Sequence, residues 1–281
     1  MNFQKIKSHA KINIALNING KSRKFHNIET IIAFVDLHDL IYIKKIKSKN
    51  HRISFLGKHS KNIYKNNTVI KLLKILEQKN LLKRNKFEIK IFKRIPTKSG
   101  LGGGSMNAAS VLKFLINKKI VKTTKNEIYK ISKLVGSDVI LGLEPTFSIL
   151  TSKNQIKRFY NHSKIYTLIV KPNFGCSTKT IYAGVKRFEK SQFTNPKKKM
   201  LNFKFLKSLN NSLESIAFSK YKKLKKIKSF LSNLSKRSFV RMTGSGSAIV
   251  AYFQSKKECE ISKRQFDKKF KNCWSIISKT I

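Results

Sequence analysis

The sequence predicts an α+β fold. Its first third alternates apolar and polar residues with a period of two, which is typical of half-buried strands, and later segments repeat apolar residues at helical spacing. The chain has 281 residues, 40% of them hydrophobic, and can bury a large core in one large domain or two ordinary ones. No apolar run approaches the ~18 residues of a membrane span, and Met1–Ile18 lacks the apolar region of a signal peptide. We therefore expect no membrane association.

The first predicted strand is Lys11–Ile18, in which apolar residues alternate with polar or small ones. Lys11 and Asn13 therefore share one face of this strand. Further strands are predicted at Ile28–Val35, Leu40–Ile46, Arg52–Leu56, Phe87–Phe92, Phe147–Leu150, Tyr166–Val170 and near Trp274. A hairpin is predicted at Phe239–Phe253, with its turn at Gly244–Gly246.

Helices are predicted where apolar residues recur every three or four positions, as they do along Thr68–Gln78. The other predicted helices open at Ser105 and cover Asn126–Val135, Lys179–Phe188, Phe203–Phe218, Leu224–Leu234 and Lys256–Phe270. No linker rich in proline, glycine or serine divides the chain, so no composition change marks a domain boundary.

The chain carries 62 Lys and Arg against 13 Asp and Glu, a formal net charge of +49. By itself this charge points to nucleic acid or an anionic membrane surface. The basic residues are overwhelmingly lysine, however, and lysine, asparagine and isoleucine are all abundant, as in a compositionally biased genome. Because the lysines are spread from Lys5 to Lys279, we expect no specific nucleic-acid partner. The cysteines, Cys176, Cys259 and Cys273, form no CxxC pair, which favours a reducing cytoplasm.

The most informative segment is Pro96–Met106, a glycine-rich run between a predicted strand and a predicted helix. Its glycines let backbone N–H groups approach a ligand closely, and the helix N-terminus adds about half a positive charge. A simple tight turn would not require so many glycines, since each one costs conformational entropy. The run therefore predicts a polyphosphate-binding loop.

Two common phosphate-binding motifs do not fit this run. A Walker A loop ends in Gly-Lys followed by Ser or Thr, whereas here the corresponding residues are Gly104-Ser105-Met106. The dinucleotide fingerprint needs Gly or Ala where Ser105 stands, and an acidic residue about twenty positions further on, where the chain has lysines.

The run resembles the phosphate loop of the GHMP kinases, small-molecule kinases that include homoserine, mevalonate and galactose kinases. Within that superfamily, four separated motifs are similar in order and spacing to those of the 4-diphosphocytidyl-2-C-methyl-D-erythritol kinase family. They are Ala10–Asn13, His26 with Thr30, Gly136–Val139 and Met242–Gly246. The resemblance implies a two-domain GHMP kinase fold, with a ribosomal protein S5 domain 2-like domain over residues 1–155 and a ferredoxin-like domain over residues 156–281.

The resemblance also implies an activity, which is ATP-dependent phosphorylation of the 2-hydroxyl of a small molecule carrying a cytidine diphosphate group, in the non-mevalonate isoprenoid pathway. ATP and Mg²⁺ are the implied cofactors, and a cytoplasmic monomer or homodimer is expected. Asp138 is the implied catalytic carboxylate, which orients the hydroxyl and accepts its proton, and Lys11 pairs with it and stabilises charge on the reacting oxygen. ATP is expected to contact Pro96, Thr97, Lys98, Ser99, Gly100, Leu101, Gly102, Gly103, Gly104, Ser105 and Met106.

For the substrate, the resemblance implies that His26 reads the cytosine edge and that Phe25 and Tyr182 stack on the base. Phe25 stands where the family usually has Tyr, so it can stack on the base but offers no hydroxyl contact. Asn13 and Thr178 are the other implied substrate contacts, although solvation at a strand edge explains Asn13 equally well and core packing explains Tyr182 equally well. A turn of Thr243, Gly244, Ser245 and Gly246 is expected to lie near the phosphates in a supporting role.

The chain departs from the family pattern at several positions, among them Met106, which replaces a common Ser and so removes a hydroxyl near phosphate or metal. The metal ligands therefore stay open. Two other functions are compatible with the sequence, a GHMP kinase for another alcohol of the homoserine or mevalonate type and, more distantly, a basic nucleic-acid-binding protein.

Overall fold

The structure of the protein, a computed structural model, describes residues 2–22, 26–61, 63, 67–160 and 162–281. The chain forms two compact units, each built from separate stretches. Unit 1 comprises Met1–Lys11, Leu37–Thr97 and Gly102–Pro145, and unit 2 comprises Ile12–Asp36, Lys98–Leu101 and Thr146–Ile281. Two long strands, β1 (Gln4–Lys21) and β2 (His26–Ile46), contribute residues to both units. The domain boundary expected near residue 155 stays a prediction.

Unit 1 combines a sheet with helices. Strand β3 (Arg52–Leu56) pairs in parallel with β4 (Lys86–Phe92), and β4 pairs antiparallel with Leu40–Ile46 of β2. The helices are α1 (Thr68–Gln78), α2 (Gly103–Asn117), α3 (Lys125–Val135) and the single turn α4 (Val139–Gly142). Asn67 caps α1 and Thr124 caps α3, each by accepting hydrogen bonds from N–H groups of the first turn.

The core of unit 1 fixes the orientation of α2. The apolar stripes of α1 and α2 share one buried cluster with β4, whose members include Leu72, Leu76, Ala108, Leu112, Leu115, Phe87 and Ile89. Burial of these stripes sets the rotation of α2 about its axis. This rotation also sets the direction that the first turn of α2 faces. That turn is the end of the glycine-rich run.

Unit 2 contains two sets of strands. The first half of β2, at Thr30–Ile32, pairs antiparallel with β5 (Phe147–Leu150), and β5 pairs with β6 (Ile156–Phe159). A four-stranded antiparallel sheet has the order β10–β7–β9–β8, with β7 at Tyr166–Pro172, β8 at Phe239–Met242, β9 at Ile249–Phe253 and β10 at Cys273–Lys279. The helices are α5 (Thr178–Ala183), α6 (Phe203–Ser208), α7 (Glu214–Lys220), α8 (Lys222–Leu234) and α9 (Lys256–Lys269). The predicted α+β class and the hairpin of β8 and β9 are confirmed.

One strand prediction is wrong for a physical reason. Ile28–Val35 and Leu40–Ile46 belong to the continuous strand β2. The polar residues between them stay extended, and the buried carboxylate of Asp39 accepts hydrogen bonds from Lys93 and from the N–H groups of Arg94 and Ile95. Residues 10–18 of β1 are also buried on both faces rather than half-buried, because polar residues there find internal partners.

Three helix predictions are wrong in extent. Helix α2 begins at Gly103 rather than Ser105, and α5 ends at Ala183, well before the expected Phe188. The expected helix Phe203–Phe218 is divided into α6 and α7. Between them, Leu16 of β1 exchanges hydrogen bonds with the backbone, donating to Asn210 O and accepting from Ser212 N. A strand partner therefore replaces the helical hydrogen bonds of this segment.

Replacing Asp39 by Asn is expected to lower the free energy of unfolding by about 3 kcal/mol, because the buried ammonium of Lys93 loses its counter-charge. Urea unfolding measures the change. Replacing Asp39 by Leu together with Lys93 by Met should restore part of the loss, since no charge then stays buried. A loss below ~0.5 kcal/mol in the single variant would show that the pair does not stabilise unit 1.

Candidate active site

Lys11 and Asp138 meet in unit 1. The ammonium nitrogen of Lys11 lies 3.2 Å from a carboxylate oxygen of Asp138, and the two side chains are 7% and 34% exposed. Asp138 precedes α4 but makes no side-chain cap to that helix. The pair therefore combines a buried cation with a carboxylate that keeps a face open to a ligand.

This pair is next to the start of α2. A methyl group at Gly102 would lie 2.7 Å from Cγ of Lys11, so only glycine leaves room for the lysine stem. A methyl group at Gly136 would lie 3.6 Å from the hydroxyl of Ser105, which places the Gly136–Val139 motif beside the first turn of α2. The structure thus brings together three sequence-predicted features, Lys11, Asp138 and the end of the glycine-rich run.

The N-terminus of α2 is suited to an anion. Its N-cap is Gly102, in the left-handed conformation with φ of 71°, and no described side chain caps the helix. The first N–H groups of a helix have no partner within it, and the helix dipole favours negative charge there. Met106, by contrast, donates its N–H to Gly102 O and buries its side chain against Gly142. Gly103, Gly104 and Ser105 therefore carry the backbone N–H groups that have no partner within the helix.

The glycine-rich run is shared between the units, with Pro96 and Thr97 in unit 1 and Lys98–Leu101 in unit 2. In unit 2, Ser99 O accepts from Ala248 N and Gly100 O accepts from the hydroxyl of Thr243. Gly100 has φ of +77°, and a side chain there would overlap Thr243 O. This part of the run is therefore held against the turn that follows β8.

That turn belongs to the Met242–Gly246 motif, and polar side chains hold it in unit 2. Thr243 is fully buried, and its hydroxyl accepts from Asn13 N at 2.9 Å. Asn211 Nδ2 donates to both Met242 O and Gly244 O. Ser245 and Thr178 share a hydroxyl hydrogen bond at 3.0 Å. The sequence analysis did not single out Asn211. Its one distinguishing feature in the sequence is that it is polar within an apolar, helix-like stretch.

Asn13 is buried rather than solvated at a strand edge, which removes one of the two explanations left open by the sequence. Its Nδ2 donates to the hydroxyl of Thr30 at 2.9 Å, and that hydroxyl donates to Ala15 O. Asn13 contacts the hydroxyl of Thr243, and Thr178 contacts the hydroxyl of Ser245. The structure thus places both residues against the same turn.

The two predicted base-binding residues that the structure describes also meet in unit 2. The ring centroids of His26 and Tyr182 lie 5.3 Å apart with a 45° tilt. Partial burial, helped by the positive charge of Lys21, lowers the pKa of His26, so its imidazole is uncharged at neutral pH. Phe25, the third predicted base contact, lies outside the described residues.

Comparisons with known proteins show which family the chain is similar to. The family "GHMP kinases N terminal domain" matches residues 67–145. The 4-diphosphocytidyl-2-C-methyl-D-erythritol kinase of Pelagibacter ubique (strain HTCC1062) is 57% identical over 281 residues, covering 100% of both chains. A crystal structure of 4-(cytidine 5'-diphospho)-2C-methyl-D-erythritol kinase is similar with a TM-score of 0.79 and 20% identity, covering 99% of this chain and 100% of that one. The crystal structure of homoserine kinase from Cytophaga hutchinsonii is similar with a TM-score of 0.72 and 15% identity, covering 100% of this chain and 95% of that one.

Replacing Gly100 by Ala is expected to lower the free energy of unfolding by about 2 kcal/mol, because an L-residue is strained at positive φ and the methyl group overlaps Thr243 O. Gly20→Ala is the matched control, since Gly20 lies in β1 and a methyl group there meets only Asn27 Nδ2 at 3.5 Å. Urea unfolding of both variants measures the two losses in free energy of unfolding, and Gly100→Ala should show the larger one. Equal losses would contradict the tight approach of Gly100 to the turn.

Proposed function

The chain belongs to the 4-diphosphocytidyl-2-C-methyl-D-erythritol kinase family of the GHMP kinases, and on this basis we propose that it transfers the γ-phosphoryl group of ATP to the 2-hydroxyl of 4-diphosphocytidyl-2-C-methyl-D-erythritol. The observation that carries the proposal is the ion pair of Lys11 and Asp138 beside the uncapped start of α2 in unit 1. A reactive carboxylate, a cation and a phosphate-binding helix N-terminus are the parts that phosphoryl transfer to an alcohol requires.

Asp138 orients the acceptor hydroxyl and accepts its proton as the bond to phosphorus forms. A carboxylate is too weak a base to ionise an alcohol beforehand, so positioning is its main contribution. Lys11 balances the charge of Asp138 and stabilises negative charge that develops on the reacting oxygens. Because the stem of Lys11 packs against Gly102, its ammonium is held in place before substrate binds.

The first turn of α2 binds the polyphosphate of ATP in this proposal. The N–H groups of Gly103, Gly104 and Ser105 point along the helix axis toward its N-terminus, where an anion is stabilised. Bound Mg²⁺ supplies positive charge to the polyphosphate. Because Mg²⁺ prefers oxygen ligands, the Ser105 hydroxyl and the Asp138 carboxylate are the groups that would hold it. Lys98, Ser99 and Gly100 support the loop through their contacts in unit 2.

The cytidine group is assigned to His26 and Tyr182. An uncharged imidazole has one donor and one acceptor nitrogen, which suits the mixed donor and acceptor edge of cytosine, and the ring of Tyr182 offers a stacking surface. Asn13 and Thr178 line the substrate site, and Thr243–Gly246 supports them. Phe25 stays a predicted stacking residue.

Acceptors of the homoserine type are less well supported. The likeness to homoserine kinase rests on 15% identity and concerns the fold, whereas the relative at 57% identity covers the whole chain.

The net charge of +49 needs no nucleic-acid partner, because it also attracts ATP and a diphosphate substrate. Among the described residues, no helix is both long and apolar enough to cross a membrane. A cytoplasmic location and a monomeric or dimeric state stay predictions.

Purified protein supplied with ATP, Mg²⁺ and 4-diphosphocytidyl-2-C-methyl-D-erythritol is expected to release ADP and form the 2-phosphate, detected by a coupled assay and phosphorus NMR. Asp138→Asn should lower kcat by about a hundredfold to ten-thousandfold, because the neutral amide neither orients the hydroxyl as a charged acceptor nor accepts its proton. Asp267→Asn is the control, since Asp267 pairs with Lys263 in α9 and should leave kcat unchanged.

Two results would contradict this account. Folded wild-type protein without turnover would exclude the proposed substrate. Full activity in Asp138→Asn would exclude Asp138 as the catalytic carboxylate while leaving the substrate assignment in place.

A further inference from the structure

Residues 184–193, which we call the strap, follow α5 and have no regular secondary structure. The end of the strap is held by Glu29 of β2, which is fully buried. One oxygen, Oε1, accepts from Asn17 Nδ2 at 3.0 Å and from Gln192 N at 2.6 Å. The other, Oε2, accepts from the Ser191 hydroxyl at 2.6 Å and from Phe193 N at 3.1 Å. Each carboxylate oxygen therefore receives two donors.

A second set of contacts holds the strap to β1. Glu189 N donates to Ile18 O at 2.8 Å, and Asn19 Nδ2 donates to Glu189 O at 3.1 Å. The Ser212 hydroxyl donates to Glu189 Oε1 at 2.6 Å. The strap is thus fixed at residues 189–193 by β1 and by β2, the strand that begins at the predicted base-reading residue His26.

The beginning of the strap is fixed to α5. Val185 N donates to Tyr182 O, and Gly184 N donates to Ile181 O. Gly184 packs closely on Ile216, since a methyl group at Gly184 would lie 2.6 Å from Cγ2 of that residue. Tyr182, in α5 just before the strap, is therefore connected through the strap to residues 191–193, which bind Glu29. Glu29 lies three residues after His26 in β2.

We propose that Glu29 is a positioning residue for the cytidine site, holding the strap so that the ring of Tyr182 keeps its place beside His26. The inference rests on the proposed function, because it assigns a cytidine base to these two rings. Glu29 itself touches neither the base nor the reacting groups in this proposal. Its hydrogen bonds lower the pKa of its carboxyl despite burial, so the carboxylate is charged at neutral pH.

The donor count explains why a carboxylate is required. All four partners of Glu29 donate, and two of them are backbone N–H groups that cannot accept. A glutamine amide would place an NH₂ group against two of these donors in either orientation, so at least one backbone N–H would lose its partner. Glu29→Gln therefore releases the strap while keeping the volume of the side chain.

The test compares Michaelis constants for the two substrates. In Glu29→Gln, the KM for 4-diphosphocytidyl-2-C-methyl-D-erythritol is expected to rise about tenfold, because hydrogen bonds to a charged group hold the strap. The kcat and the KM for ATP should each change by less than about twofold. The reason is that the variant loses affinity for the cytidine substrate equally in the ground state and in the transition state. Hydrogen exchange should become faster at the amides of Gln192 and Phe193.

Asp39→Asn is the matched control. Asp39 is an equally buried carboxylate that accepts from Lys93 and two backbone N–H groups, but it lies in unit 1 and these hydrogen bonds do not involve the strap. This variant should leave the KM for the cytidine substrate unchanged. If both variants raised that KM equally, general destabilisation would explain the effect and the inference would be wrong.

Two further measurements keep the inference testable. If Glu29→Gln does not fold, Ser191→Ala, which removes one donor to Oε2, should raise the same KM about threefold. If the wild-type protein lacks turnover, the proposed function fails, and calorimetry with cytidine diphosphate then decides the inference. Weaker binding of cytidine diphosphate by Glu29→Gln than by the wild type supports it, and equal or undetectable binding by both overturns it.

Discussion

The ammonium of Lys11 is buried, and a buried charge needs a counter-charge, which Asp138 provides at 3.2 Å. Much of the local sequence of unit 1 follows from this constraint. Gly102 has no side chain because Lys11 occupies the space, and Gly136 lies close to Ser105. The small residues of two distant motifs therefore serve one purpose, which is to bring a cation, a carboxylate and a helix N-terminus within reach of one another.

Unit 2 relies on buried polar groups of a different kind. Asn13, Thr243 and Glu29 are all nearly or fully buried, and each has hydrogen-bond partners on a neighbouring segment. A buried polar group without a partner costs free energy, so these contacts specify one arrangement of the backbone. The turn Thr243–Gly246 and the strap owe their positions to such groups rather than to regular secondary structure.

The sequence predicted the regular elements well and the polar contacts poorly. Helix α1 and strand β3 have the predicted bounds because their apolar patterns are regular and their ends are marked. The continuity of β2 could not be predicted, because it depends on Asp39 meeting Lys93 more than fifty residues later. Motif resemblance singled out Lys11 among 62 basic residues, whereas Glu29 and Asn211 belong to no motif that was recognised. Their partners are set by tertiary structure alone.

The central claim is that Lys11 and Asp138 act as one catalytic unit. A double-mutant cycle with Lys11→Met, Asp138→Asn and the double variant, read as single-turnover phosphoryl transfer at saturating ATP, tests it most directly. The account predicts that the double variant is about as slow as the slower single variant, because removing either partner already disables the pair. Losses that add as free energies would contradict it, since they would mean that the two residues act independently.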